Sequence, residues 1–86
     1  MLEEAARDER PNSLIALTPR ELEVLELISG GLTNAEAARR LEVSVHAIKF
    51  HLAAIYSRLG VANRTEAAVT YLRAIDGSAA PRPQLD

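Results

Sequence analysis

The stretch GLTNAEAARRLEVSVHAIKFHLAAIYSRLG, residues 31–60, specifies most of the architecture of this 86-residue chain. Thr33 and Glu36 have the spacing of a capping box, which predicts the start of a short helix. Ser44 follows a short turn and can cap a longer helix, whose end is marked by Gly60. This segment therefore predicts two helices joined by a tight turn, the layout of a helix-turn-helix.

Two further helices are predicted on either side of this pair. Thr18 and Glu21 form a second capping box with a proline between them at the first helical position, and Gly30 ends the helix that follows. Asn63 caps a fourth helix, which Gly77 ends. Because each cap precedes an apolar periodic stretch, the chain is predicted to be all-α, a four-helix bundle containing the helix-turn-helix. We also expect one edge of this bundle to be covered by Leu14, Ile15 and Leu17.

The charge is distributed unevenly along the chain. The net charge is −2, but residues 1–17 carry four acids and two bases, whereas residues 33–60 carry four bases and two acids. The middle of the chain therefore has a positive excess that the total conceals. Composition predicts a charged arm over 1–16, a helical domain over 17–77 and a disordered tail rich in proline, alanine and serine over 78–86.

Several classes of function are disfavoured by the composition. The chain has no cysteine, so it has neither a disulfide scaffold nor a thiol nucleophile. No apolar run approaches the roughly 18 residues of a membrane span, and the acidic N-terminus does not resemble a secretory signal, so we expect a cytoplasmic protein. There is no convincing catalytic constellation, which argues against an enzyme. His46 and His51 lie about 140° apart on a helix, so the sequence predicts no metal site and no cofactor.

The third helix, about residues 45–59, carries the functional interpretation. One stripe must face the core, and it consists of Ile48, Leu52, Ile55 and Leu59. The opposite face holds four residues that we expect to face DNA bases: His46, Lys49, Phe50 and Ala53. A lysine can donate to guanine and an apolar group can contact a thymine methyl, so this face suits the major groove. A single exposed aromatic residue is also common on ordinary surfaces, and that interpretation of Phe50 stays open.

These motifs together resemble a known family. LTPRE at 17–21, GLTNAEAARRL at 31–41, IKFHLAAIYSRLGV at 48–61 and NRTEAA at 63–68 are similar to the LuxR/FixJ/GerE type of DNA-binding domain. The resemblance implies a transcriptional regulator that binds double-stranded DNA, usually as a homodimer on inverted half-sites. RNA polymerase is a further candidate partner of such a regulator.

The resemblance also implies roles for individual residues. Lys49, Phe50 and Ala53 stand at base-facing positions of the family. Residues near positions that approach the DNA backbone are Thr33, Asn34, His51, Asn63, Arg64 and Thr65, and Arg58, which lies off the core, is assigned with them. Structural alternatives stay open. They are capping for Thr33, helix packing for His51, a solvated side chain for Arg58 and pairing with an acid for Arg64.

Five residues depart from the family pattern, and three of these departures reduce the contacts that we expect with DNA. Ala47 stands where threonine is usual, and Ala53 and Ala54 replace residues that are commonly polar. Ala37 replaces a usual isoleucine, and Glu42 stands where glycine is frequent. If Glu42 needs a positive φ, its side chain costs about 1 kcal/mol. The sequence therefore predicts modest affinity, with the salt dependence of only a few phosphate contacts.

The fourth helix has two stripes. The stripe expected to face the body consists of Ala68, Tyr71, Leu72 and Ile75, and the stripe of small residues consists of Ala67, Thr70 and Ala74. With the family resemblance, the small stripe predicts a homodimer interface. The alternative is that these alanines are present for their helix propensity.

Two competing functions stay open. One is a protein-interaction module that docks partners on Phe50 and the small-residue stripe, and the other is a promoter-reading domain like that of a sigma factor. Salt separates DNA binding from protein docking, because phosphate-driven affinity falls steeply as the salt concentration rises.

Overall fold

Five helices occur in residues 12–76, the part of the chain that the computed structural model describes. They are α1 (Asn12–Ile15), α2 (Pro19–Ser29), α3 (Asn34–Leu41), α4 (Val45–Leu59) and α5 (Arg64–Ile75). No strand occurs in these residues. The all-α prediction is confirmed, and the single turn of α1 adds to the four predicted helices. The predicted tail over 78–86 and most of the charged arm lie outside the described residues.

The predicted N-caps are confirmed, and each uses a side-chain oxygen. Thr18 Oγ1 accepts the Glu21 N–H at 3.1 Å, while Glu21 Oε1 accepts the Thr18 N–H at 3.0 Å. Hydroxyl oxygens of Thr33 and Ser44 cap the next two helices, and the amide oxygen of Asn63 caps the last. A cap of this kind contributes roughly 1 kcal/mol, so short-range sequence is enough to begin each helix.

The core lies where α2, α4 and α5 pack together, and α3 packs on α4. Ile48, Leu52 and Ile55 of α4 are buried, as predicted, beside Val24 and Leu25 of α2. Burying an aliphatic side chain of this size contributes about 1.5–3 kcal/mol. Because this face of α4 is buried, the opposite face of the same helix is directed to solvent.

The segment before α2 belongs to the folded unit. Leu14 and Leu17 are buried with the core, and α1 packs on α5. The prediction that Leu14, Ile15 and Leu17 cover one edge of the bundle is confirmed for the two leucines, and Ile15 is half-buried. The apolar core therefore extends at least to residue 14.

The two faces of α5 require a correction. Ala67 is completely buried, and Ala74 packs against the core, although both were predicted to form an outward stripe. Leu72 and Ile75, which were predicted to face the body, are 49% and 55% exposed. The physical reason is that a small side chain such as Ala67 takes up little room in the core and lets α5 pack closely on the helices around it.

Glu42 ends α3 in the left-handed conformation, with φ 60° and ψ 44°. It is the one residue other than glycine with a positive φ in the described range. The strain that the sequence indicated at this position is therefore present, because the Cβ of an L-residue crowds its own backbone there.

We predict that Glu42→Gly raises the free energy of unfolding by about 0.5–1 kcal/mol, because glycine relieves the strain but costs more backbone entropy. Urea unfolding followed by circular dichroism measures this difference. Glu42→Ala is the matched control, since it removes the carboxylate and keeps the Cβ. Equal effects of the two substitutions would show that the backbone conformation is not the cause.

Candidate nucleic-acid interface

Helices α3 and α4 are joined by residues 42–44. The residue after Glu42 closes the last turn of α3, because the Val43 N–H donates to the Ala38 carbonyl at 2.9 Å. The Ser44 hydroxyl then accepts the Ala47 N–H at 2.9 Å and begins α4. Residues of the turn thus close the end of α3 or cap the start of α4, so the turn holds the two helices in a fixed relative position.

The outward face of α4 contains all four residues that were predicted to face DNA bases. They are His46, Lys49, Phe50 and Ala53, and each is exposed. Phe50 is 70% exposed, more than any other large apolar side chain that the structure describes. The predicted exposure is confirmed, and contact with bases stays a prediction.

The ring of Phe50 has one aromatic neighbour in the described residues, His51. The ring centroids lie 5.9 Å apart with an interplanar angle of 67°, an edge-to-face arrangement. His51 is half-buried. Half-burial is as expected for a residue at the edge of the buried stripe of α4.

The start of α3 is linked to the start of α5 by Arg64. Its Nη1 donates to Asn34 Oδ1 at 2.9 Å, and its Nη2 donates to the Leu32 carbonyl at 2.7 Å. The acidic partner that was expected as an alternative is not part of these bonds, and contact of Arg64 with a phosphate stays a prediction. The structure thus brings Asn34 and Arg64 together beside Thr33, three residues that were predicted to approach the DNA backbone.

The remaining residues of this group lie at the start of α5. The Asn63 side chain accepts the Glu66 N–H at 2.9 Å and so acts as the N-cap. The Glu66 carboxylate in turn accepts the Ala62 N–H at 2.8 Å. Thr65 is exposed on the first turn. Capping is thus established for Asn63, and DNA contacts of both residues stay predictions.

Arg58 lies at the other end of α4, roughly 14 Å along the helix axis from Lys49. Its Nε is 3.0 Å from Oε1 of the buried Glu21 and 3.2 Å from Oε2. The Arg58 side chain is still 46% exposed, as expected for a solvated arginine, and it also supplies the charged partner that the nearly buried Glu21 carboxylate requires. A role of Arg58 at the DNA backbone stays a prediction that competes with this ion pair.

Sequence reasoning gave no role to Arg39 and Arg40. Both are exposed near the end of α3, where they line an open groove of about 600 Å³ with Leu32 and Glu36. Two consecutive arginines cannot both lie on the buried face of an amphipathic helix. The pair could therefore have predicted a positively charged surface from the sequence. The groove adds positive charge next to Asn34 and Thr33.

The described residues contain no cluster of side chains that could hold a metal ion. None of the helices between residues 12 and 76 combines the length and the apolar character that crossing a membrane requires.

A short helix, a tight turn and a longer helix with an exposed polar and aromatic face define a helix-turn-helix domain. Residues 15–71 match the family described as "Bacterial regulatory proteins, luxR family". This is more than half of the chain, and the chain belongs to that family. The resemblance that the motifs indicated is therefore confirmed.

Similar proteins are named as transcriptional regulators. The chain is 43% identical over 65 residues to transcriptional regulatory protein LnrK of Bacillus subtilis, covering 76% of this chain and 30% of LnrK. It is 46% identical over 54 residues to LiaR of the same organism, covering 63% of this chain and 26% of LiaR. A match to the HTH-type transcriptional regulator MalT of Vibrio campbellii is also 46% identical over 54 residues and covers 63% of this chain and 6% of MalT. The chain thus spans less than a third of the length of these relatives.

The capping box of α3 makes the helix-turn-helix sensitive to acid. The hydrogen bond from the Thr33 backbone N–H lowers the pKa of Glu36 below its ordinary value of 4.5, and Arg39 and Arg40 lower it further. The ionised carboxylate therefore stabilises the folded state. This contribution is complete above pH 4.5 and is lost as the pH falls through the lower pKa of the folded chain.

We predict that Glu36→Gln destabilises the domain at about pH 6 and that the difference from wild type shrinks as the pH is lowered towards about 3, because protonation of the wild-type carboxyl increases as the pH falls. Urea unfolding at the two pH values measures this change. A difference in unfolding free energy that is the same at both values would contradict the assignment.

Proposed function

We propose that this chain is a sequence-specific, double-stranded DNA-binding transcriptional regulator whose helix α4 enters the major groove. The observation that carries the proposal is the exposure of Phe50 beside Lys49 on the face of α4 opposite the core. Exposing a phenylalanine to water is unfavourable unless a partner covers it. In a luxR-family domain, a groove that offers acceptors and thymine methyls is such a partner.

The side chains on this face suit different parts of a base pair. The Lys49 ammonium can donate to O6 and N7 of guanine, whereas Phe50 and Ala53 can contact thymine methyls. Ala53 is small, so it also permits close approach of the helix to the groove. His46 lies in the first turn of α4, where it can donate to a base or a phosphate.

Backbone contacts come from the start of α3 and its neighbours. In a helix-turn-helix, the first helix crosses the phosphate backbone while the second lies in the groove. Thr33 and Asn34 lie at the start of that first helix, and Arg39 and Arg40 supply positive charge near its end. Contacts of this kind position the protein and make the affinity fall with salt, but they do not select a sequence.

Dimerisation is proposed through α5, on a different face from the predicted stripe of small residues. The outward face carries Val69, Leu72 and Ile75, which are 41%, 49% and 55% exposed. A second copy packed on these side chains would bury them around a two-fold axis and place two α4 helices on inverted half-sites.

Contact with RNA polymerase and a cytoplasmic location are further predictions for such a regulator.

The alternative function, docking of a protein partner on α4, is favoured by the same exposed Phe50. The two functions differ in their electrostatics. DNA binding loses affinity in proportion to the number of phosphates contacted, whereas docking of an apolar partner is much less dependent on salt. Binding of a random duplex pool at about 50 mM and about 200 mM salt therefore separates them.

We predict that Lys49→Ala weakens binding to the duplex enriched from a random pool by about 1–3 kcal/mol and relaxes the preference at one base pair. Fluorescence anisotropy and sequencing of the bound fraction measure the two effects. Arg20→Ala is the control, because it removes one positive charge from an exposed pair with Glu23 on α2, outside the helix-turn-helix. An equal loss on every sequence would instead assign Lys49 to a phosphate.

We predict that Leu72→Glu weakens self-association by about tenfold or more, because it places a charge in the proposed apolar interface. Sedimentation equilibrium of the chain without DNA measures this. Ala35→Glu, which adds the same charge at an exposed position of α3, is expected to leave self-association unchanged. Equal association constants for Leu72→Glu and wild type would exclude this face of α5.

A further inference from the structure

Arg64 forms hydrogen bonds with two residues that are distant in sequence, Asn34 (30 residues away) and Leu32 (32 residues away). It is the first residue of α5, it is half-buried, and both of its acceptors belong to the start of α3 or the turn before it. A hydrogen bond from Arg58 to Glu21 also joins side chains that are distant in sequence. The packing of α3, by contrast, is on α4 and α2. Arg64 is therefore the polar link between α5 and the helix-turn-helix.

The chemistry of this link sets the orientation of the Asn34 amide. An arginine has only donors, so the group of Asn34 that faces it must be the carbonyl oxygen. The amide NH₂ of Asn34 is then directed away from Arg64. Its two N–H groups are donors, and donors are what a phosphate oxygen accepts.

We infer that Arg64 is a positioning residue, which holds Leu32 and orients the Asn34 amide so that its NH₂ donates to the DNA backbone. This inference rests on the proposed function. Arg64 acts through Asn34 and not through its own charge. A lysine would keep the charge but would lack the planar fork that reaches two acceptors at once.

The free protein provides the first test, by NMR of the full 86-residue chain without DNA. Arg64→Lys is expected to shift the side-chain NH₂ resonances of Asn34 and to raise hydrogen exchange in the first turn of α3 about tenfold. Amides of α2 and α4 keep their protection, as does the whole chain in the control Arg20→Met. Unchanged Asn34 resonances and exchange in Arg64→Lys would overturn the inference.

DNA affinity provides the second test, in a double-mutant cycle of Arg64→Lys with Asn34→Ala on the duplex enriched by wild type. Each single change is expected to weaken binding about tenfold, and the double change no further, because both remove the same contact. Additive losses, or wild-type affinity in Arg64→Lys, would overturn the inference. So would a fall of about 0.9 in the salt slope of Arg64→Met, since that is the signature of a direct phosphate contact.

The two tests separate the inference from the proposed function. If the wild-type chain binds no duplex at low salt, the proposed function fails and the DNA part of the inference fails with it. Shifted Asn34 resonances in Arg64→Lys would then still establish Arg64 as the residue that orients this amide. Binding by wild type with additive losses in the cycle would leave the proposed function standing and overturn the inference alone.

Discussion

Burial of one face of α4 is the constraint on which the rest of the structure depends. Ile48, Leu52 and Ile55 pack against α2 and its neighbours, and their burial supplies much of the favourable free energy of folding. Because the α-helix repeats about every 3.6 residues, the side chains between these positions must leave the core. Lys49 and Phe50 are therefore exposed as a consequence of the packing. Stability and the proposed recognition are properties of opposite faces of one helix.

Polar contacts then fix the ends of the helices around this core. Helix ends are where backbone groups lack partners within the helix, so they are natural points of attachment. Arg58 joins the end of α4 to Glu21 at the start of α2, and the buried carboxylate is satisfied there because it also accepts the Thr18 N–H. Arg64 joins the start of α5 to the start of α3. The apolar contacts thus hold the helices together, and the two arginines set how their ends meet.

The outward face of α4 carries few hydrogen-bond donors. In this luxR-family domain, helix α4 carries small side chains at Ala47, Ala53 and Ala54, and Ala53 lies exposed on its outward face. A face with few donors can discriminate few base pairs by itself. The proposed dimer would add the base contacts of a second copy, and the exposed apolar side chains of α5 are the surface proposed for it.

Local sequence was sufficient for the starts of helices α2 to α5 and for the inner face of α4. Caps such as Thr33 and Ser44 act over three or four residues, and a stripe of large aliphatic side chains leaves only one face to bury. Local sequence did not determine which face of α5 is buried, because the faces that contain Ala67 and Leu72 are both apolar. Which of them is buried depends on how closely the neighbouring helices can pack. Local sequence also could not predict the hydrogen-bond partners of Arg58 and Arg64. They lie 37 and 30 residues away, and such contacts exist only once the helices have taken their relative orientation.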